Sequence, residues 1–210
     1  MSQVFSPFKQ FFELVAGDAK ACDRRPSMVL YMKALLGPSR FSSVFLFRVD
    51  SALHDKGLPW SLLAKLARRW NRLWNNFEIS EGARIGPGMY LPHPFGVVIG
   101  RISAGSNLII LQNATFGLKD IRFDYQDSSH YPRLGDNVTV GAGAAVLGNI
   151  AIGDGAVIGA NAVVITDVPA GCRAVGNPAR VIPPRTSLLC TSDAELAFEP
   201  SAAIDLRGAD

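Results

Sequence analysis

Histidine and cysteine are both scarce in this 210-residue chain, three of each, and the apolar runs are short. Cys22, Cys172 and Cys190 are far apart and odd in number. They have neither metal-site spacing nor the even count of a disulfide framework, which points to a reducing compartment; the expected location is the cytoplasm. No apolar run approaches the ~18 residues of a membrane span. The first residues, MSQVFSPFKQFFELVAGDAKACDRR, lack a basic start and a clean apolar core, so they read poorly as a signal peptide. The net charge of +3 is mild. It gives no reason to expect a nucleic-acid partner, although it suits anionic small molecules. At 48% hydrophobic and 19% charged, the composition is that of a soluble globular protein.

What the chain does have is a rhythm. Leu134, Val140, Val146, Ile152, Ile158 and Val164 are aliphatic residues at a spacing of six, and Gly135, Gly141, Gly153 and Gly159 follow four of them. A helix repeats its apolar face every three to four residues and a flat strand every second. A period of six fits a chain that turns a corner after each short strand, a parallel β-helix of hexapeptide repeats. Its core exists only as a stack, because no repeat buries its aliphatic alone. The same spacing links Ile79, Ile85, Leu91 and Val97, and after a shift of one residue Val98, Ala104, Ile110 and Phe116.

The predicted organisation has three parts. Residues 1–76 form a helical region, with helices over FKQFFELVAG, over PSMVLYMKALLG, from Phe41 to His54 and from Leu58 to Trp74. The last has Leu63, Leu66, Trp70, Leu73 and Trp74 opposite Lys65, Arg68, Arg69 and Arg72. Contact with an anionic membrane surface is one reading of that pattern. The preferred reading packs the stripe on neighbouring helices or on the solenoid, with the basic face in water. Residues 77–184 form the solenoid. It is interrupted by an aperiodic excursion at 118–132, a loop long enough to suggest function. Residues 185–210 read as a partly disordered tail.

FEISEGARIGPGMYLPHPFGVVIG, ILQNATFG, GAGAAVLGNIAIGDGAVIGANAVV and DVPAGCRAVGNPARVI together resemble the hexapeptide acyltransferases. Within them the likeness is to the serine acetyltransferase branch and its sugar-acetylating relatives. It covers roughly residues 77–183. It implies a left-handed β-helix of triangular section, a homotrimer or dimer of trimers, and acetyl-coenzyme A as co-substrate in a groove between subunits, with no metal. A histidine general base paired with an acid fifteen positions earlier is also implied. Here these are His93 and Glu78, where the family usually has Asp.

The chemistry fits those residue types. An alcohol attacks a thioester more readily when a base removes its proton, and an unperturbed histidine has a pKa near 6.5. A carboxylate on the far ring nitrogen fixes the tautomer, as in hydrolase triads. Three faces of six residues make ~18 per coil, so positions fifteen apart are almost one coil apart and can be neighbours at a corner, a spacing compatible with a Glu78–His93 pair. No nucleophilic Ser or Cys elbow stands beside them, which favours direct transfer in a ternary complex.

The resemblance also places the acceptor near His130 and Tyr131, where the branch has Arg-His-Pro, and coenzyme A along Ala142 and Ala160. Small residues there let the pantetheine arm approach the backbone. Arg180 would meet a phosphate. His54 reads as structural. Three departures bear on the acceptor and partner and leave acetyl transfer intact. Pro92 replaces an Asp before the base. FGLKDIRFDYQ replaces a glycine-rich loop. The terminal DLRGAD lacks the Ile with which the branch docks on its cysteine-synthesising partner. A zinc lyase of the γ-carbonic-anhydrase type needs three histidines on the solenoid, which has only His93 and His130. A non-catalytic scaffold on the same fold is the remaining alternative.

Overall fold

The computed structural model describes residues 7–22, 25–37, 39–120 and 122–184. The expected tail at 185–210, with Cys190, lies outside them. Four helices come first: α1 (Pro7–Ala21), α2 (Met28–Leu36), α3 (Arg40–Leu53) and α4 (Trp60–Asn75). Ser27 caps α2 by accepting from Leu30 N–H, and Ser39 and Ser42 form a reciprocal capping box on α3. Helix α1 does not stop at Gly17, as the sequence suggested. A Cβ at that glycine would lie 2.8 Å from Pro87 Cβ and 3.2 Å from Gly88 N. The missing side chain therefore serves a close contact between helix and solenoid rather than a helix end.

Helix α4 also differs from expectation. The side chains it turns towards its own chain are Ala64, Ala67, Asn71 and Asn75. The alanines let α3 approach, and the asparagines bond across the junction. Asn71 Nδ2 donates to Ser43 O (2.8 Å), Asn75 Nδ2 to Asn71 Oδ1 (2.9 Å), and Ser42 Oγ to Asn75 Oδ1 (3.1 Å). The large apolar stripe is left open to solvent within the single chain, with Leu66 at 53%, Trp70 at 41% and Leu73 at 65% exposed. Contiguous apolar surface of this kind marks an interaction face.

The strands follow as β1 (Phe77–Ile79), β2 (Arg84–Ile85), β3 (Val97–Ile99), β4 (Ser103–Ala104), β5 (Ile109–Ile110), β6 (Thr115–Gly117), β7 (Arg133–Leu134), β8 (Thr139–Val140), β9 (Ala145–Leu147), β10 (Ala151–Ile152), β11 (Val157–Ile158), β12 (Val163–Val164), β13 (Arg173–Val175) and β14 (Arg180–Ile182). They form three sheets, the faces of a wound coil. The first is ordered β1-β3-β6-β9-β12, the second β10-β7-β4-β2 and the third β14-β13-β11-β8-β5. All pairings are parallel except β13 with β14, where the chain turns back and closes the stack. The six aliphatics from Leu134 to Val164 are all buried. Asn107, Asn113, Asn137 and Asn161 take left-handed corner conformations, with φ between 56° and 59°.

One corner breaks the rhythm. Tyr90 pairs with Ile109 and Val98 with Thr115, so eight residue steps on the first coil match six on the next. The two extra residues reset the phase. Val97 and Ile99 point inward and Val98 points out, 41% exposed, contrary to the shifted series read from sequence. Adjacent strand residues face opposite sides, so Val97 and Val98 are never both in the core.

Candidate active site

The enlarged corner carries His93. It lies between Tyr90 on the third face and β3 on the first, in a segment where Pro92 is half-buried, Pro94 is buried and His93 is exposed. The prolines restrict the backbone on both sides of the imidazole. Gly96 N–H donates to Asn76 O and Asn113 N–H to Phe95 O, so this corner stacks between those of the neighbouring coils.

The same edge continues through the other predicted residues. Gly143 N–H donates to Gln112 O, and Asn161 N–H to Ala142 O. Ala142 and Ala160 thus fall on the third-to-first edge, in successive coils beyond His93. A Cβ at Gly141 would lie 2.6 Å from Ala160 N, which requires glycine there. Val175, whose side chain lies over Gly159, extends the edge by one level, and Arg180, its partner on β14, by a second. From the coil of His93 to β14, which carries Arg180, is five strand spacings, ~24 Å at ~4.8 Å each. The track is lined by small residues and ends at an exposed guanidinium. An extended thiol arm carried on a phosphorylated nucleotide fits that form.

Glu78 lies mid-strand on β1, exposed on the outer side of the first face, in register with Val98 of β3. His93 lies at the edge where the chain enters the same face one coil later. Neither side chain makes a hydrogen bond or ion pair among the described residues. The coil between them takes twenty residues, Phe77 pairing with Val97, rather than the eighteen assumed from the period.

The excursion at 118–132 leaves from the opposite edge, between β6 on the first face and β7 on the second. His130 ends a short 3-10 turn, stacks on Phe123 (centroids 4.5 Å apart, 12° between planes) and lies 3.5 Å from Asp127 Oδ2. Within one chain it is therefore separated from His93 by the width of the first face, roughly 10 Å for three residues of strand. Tyr131 occupies a different place from the acceptor contact expected. It is 4% exposed, its ring fills the space that a side chain at Gly100 would need, and its hydroxyl donates to Tyr125 O (3.1 Å). Burial pushes its phenol above the usual value. Tyr131 anchors the loop to the coil. His130 is half-buried at the loop surface, held by Phe123 and Asp127.

At this second edge lies a cleft of about 280 Å³ lined by Arg68 and Arg72 of α4, Glu78, Glu81, Arg101, and Tyr125 and Gln126 of the loop. Arg68 is committed, bonding both oxygens of Asp50 (2.8 and 3.1 Å) and also Glu81. That hydrogen bond holds the Glu81 carboxyl below the ordinary range. Arg101 bonds Gln126. In the sequence Arg68 and Arg72 belong to a face expected in water, and Arg101 carries no motif that singles it out. His54 pairs with Asp55 at 3.0 Å, away from either edge. Among the described residues no group of three or more His, Cys, Asp or Glu side chains converges to hold a metal, and no helix is long and apolar enough to cross a membrane.

The bacterial transferase hexapeptide (six repeats) family matches residues 131–166. A serine acetyltransferase of Synechococcus elongatus is 38% identical over 173 residues, covering 81% of this chain and 68% of that protein. A crystal structure of Neisseria gonorrhoeae serine acetyltransferase in complex with serine is 32% identical, with a TM-score of 0.68, over 83% of this chain and 69% of the other. A serine acetyltransferase in complex with CoA is 30% identical, with a TM-score of 0.67, over 83% and 70%. The relatives are longer, and the chain spans between 40% and 77% of their lengths.

Proposed function

Because the chain belongs to the hexapeptide-repeat transferases, in their serine acetyltransferase branch, with an N-terminal helical region and a left-handed β-helix, we propose that it moves an acetyl group from acetyl-coenzyme A to a hydroxyl. The observation that carries this reading is the single edge shared by His93, Ala142, Ala160 and Arg180. Coenzyme A lies along Ala142 and Ala160 with a phosphate at Arg180, and its thioester is presented to His93.

His93 takes the proton from the acceptor hydroxyl as its oxygen attacks the thioester carbon. The C–O bond forms, the C–S bond breaks, and the imidazolium returns its proton to the departing thiolate. Glu78 accepts the other ring N–H and stabilises the charged imidazole. Its three side-chain torsions supply the reach that the resting geometry lacks, since such bonds tighten when substrate binds.

His130 meets the acceptor from the opposite edge of the first face. A site that uses both histidines is completed by a second copy, which agrees with active sites at the seams of the homotrimer or dimer of trimers that the resemblance implies. The exposed apolar faces of α4 and of α2, where Met28, Val29, Met32 and Leu36 are open to solvent, are where further helix contacts between copies form. L-serine is the first acceptor to test, given what the relatives act on. A sugar hydroxyl is the second, favoured by Pro92, which offers no carboxylate to a substrate ammonium.

The test is thiol release from acetyl-coenzyme A against L-serine, other small amino acids and sugar nucleotides, with donor binding measured alongside. Turnover of at least one hydroxyl compound is expected. A chain that neither binds acetyl-coenzyme A nor releases thiol is the scaffold instead. Glu78→Gln keeps the size of the side chain and loses its charge. It should lower kcat by less than the ~10²–10⁴-fold that general-base catalysis supplies. An unchanged kcat removes Glu78 from the proton path.

A further inference from the structure

We infer that Gln112 closes the donor track and limits the transferred acyl group to two carbons, an assignment that rests on the O-acetyltransferase reading above. Gln112 shares a corner position with residues already placed on that track. Asn113 N–H donates to Phe95 O, Gly143 N–H to Gln112 O and Asn161 N–H to Ala142 O. The same step of the winding therefore holds Phe95, close to His93, then Gln112, Ala142 and Ala160, one in each successive coil. Side chains in this column grow towards His93. The two alanines leave the groove open, Gln112 fills more of it, and Phe95 stands 56% exposed at its head.

Gln112 is the single level between Ala142 and the corner of His93, ~4.8 Å from each along the stack. The thioester of a donor lying on the alanines has to be drawn across that level to meet His93. The side chain of Gln112 is half-buried and makes no hydrogen bond among the described residues. Its Oε1 is sealed from solvent with no donor, so Nε2 is the end of the amide that a group on the track meets.

Size and polarity then select the same donor. An acetyl group offers its carbonyl oxygen to the Nε2 N–H groups and ends one carbon later. A longer acyl chain must pass the Gln112 side chain and lay methylene groups over Nε2, and a donor covered without an acceptor is unfavourable. An alanine at this corner would let the chain through, as Ala142 and Ala160 let the thiol arm lie against the backbone.

The test compares acetyl-, propionyl- and butyryl-coenzyme A on the full chain, by calorimetric affinity and by kcat/KM for thiol release with the acceptor that turns over. Wild type should favour acetyl by roughly tenfold or more over propionyl, and by more over butyryl. Gln112→Ala should bring the acetyl-to-butyryl ratio below roughly tenfold. Gln112→Asn keeps the amide and is one methylene shorter, so it should narrow the propionyl ratio and leave butyryl poor. Ratios between donors on one variant are insensitive to a general loss of activity, and no side-chain hydrogen bond is lost with Gln112. The assignment is overturned if wild type binds none of the three donors, if it accepts them equally, if the ratios survive both substitutions, or if all three donors weaken together, which would make Gln112 a general contact with coenzyme A. A binding preference for acetyl that Gln112→Ala erases, in a chain that releases no thiol, would sink the transferase reading and leave the closed track standing.

Discussion

Replacing His93 with alanine is expected to lower thiol release by about 10² to 10⁴-fold, the usual worth of a positioned general base, while leaving the fold and assembly intact. The structural half of that expectation follows from exposure. His93 is on the surface of its corner, and the buried neighbour that holds the corner down is Pro94. No hydrogen bond or ion pair is lost with the ring among the described residues. Single-turnover thiol release, the circular dichroism melting curve and sedimentation velocity check the three parts separately. His54→Ala is the matched control, because that ring pairs with Asp55 at the end of α3. A His93→Ala variant with wild-type turnover would refute the base assignment. One that is inactive and also unfolded would assign the ring a structural role. If Glu78 steadies the imidazolium, Glu78→Gln in the His93→Ala background should change nothing further, since residues that act as a unit are strongly non-additive.

The coil was legible because its rule is simple. Each face contributes one inward aliphatic, and from Leu134 to Val164 nothing interrupts the count. The edge holding His93, Ala142, Ala160 and Arg180 follows from that winding. Legibility failed where packing used residues without a size or hydropathy signal. Helix α4 displays a broad apolar stripe, yet its inner face is set by two alanines and two asparagines that bond to α3. In α1 a glycine that looked like a terminator is a contact point. The resemblance implies an acceptor position for Tyr131, but Gly100 leaves a space that the ring fills. Arg101 has meaning only once the loop and α4 close around it. A period locates backbone, whereas these cases depend on which side chains meet across elements far apart in sequence.

The largest expected loss of stability comes from Asp18→Ala. Asp18 is fully buried in α1 and Arg48 is 3% exposed in α3. Arg48 Nε donates to Asp18 Oδ2 (2.8 Å) and Nη2 to Oδ1 (3.2 Å). The remaining donors reach the first coil, Nη1 to Ile85 O and Nη2 to Gly86 O, both at 2.6 Å. Asp18 Oδ1 in turn accepts the backbone N–H groups of Gly88 and Met89, each at 2.9 Å. This pair therefore ties two helices to the coil that leads into the His93 corner. Removing the carboxylate leaves a buried guanidinium with half its partners and two buried N–H groups with none. Breaking a buried pair in this way costs about 3–5 kcal/mol, a large part of the ~5–15 kcal/mol that holds a typical domain together. A fall in the urea midpoint of matching size is expected. The double variant Asp18→Leu with Arg48→Met separates the charge effect from the hydrogen bonds. Apolar replacement of a buried ion pair is often neutral, but here it still strands the carbonyls of Ile85 and Gly86 and the N–H groups of Gly88 and Met89, at about 1–3 kcal/mol for each buried group left unpaired. The double variant should thus recover only part of the loss. Full recovery would mean that these backbone groups find water once the pair is gone, and that the helices are held to the coil by packing alone.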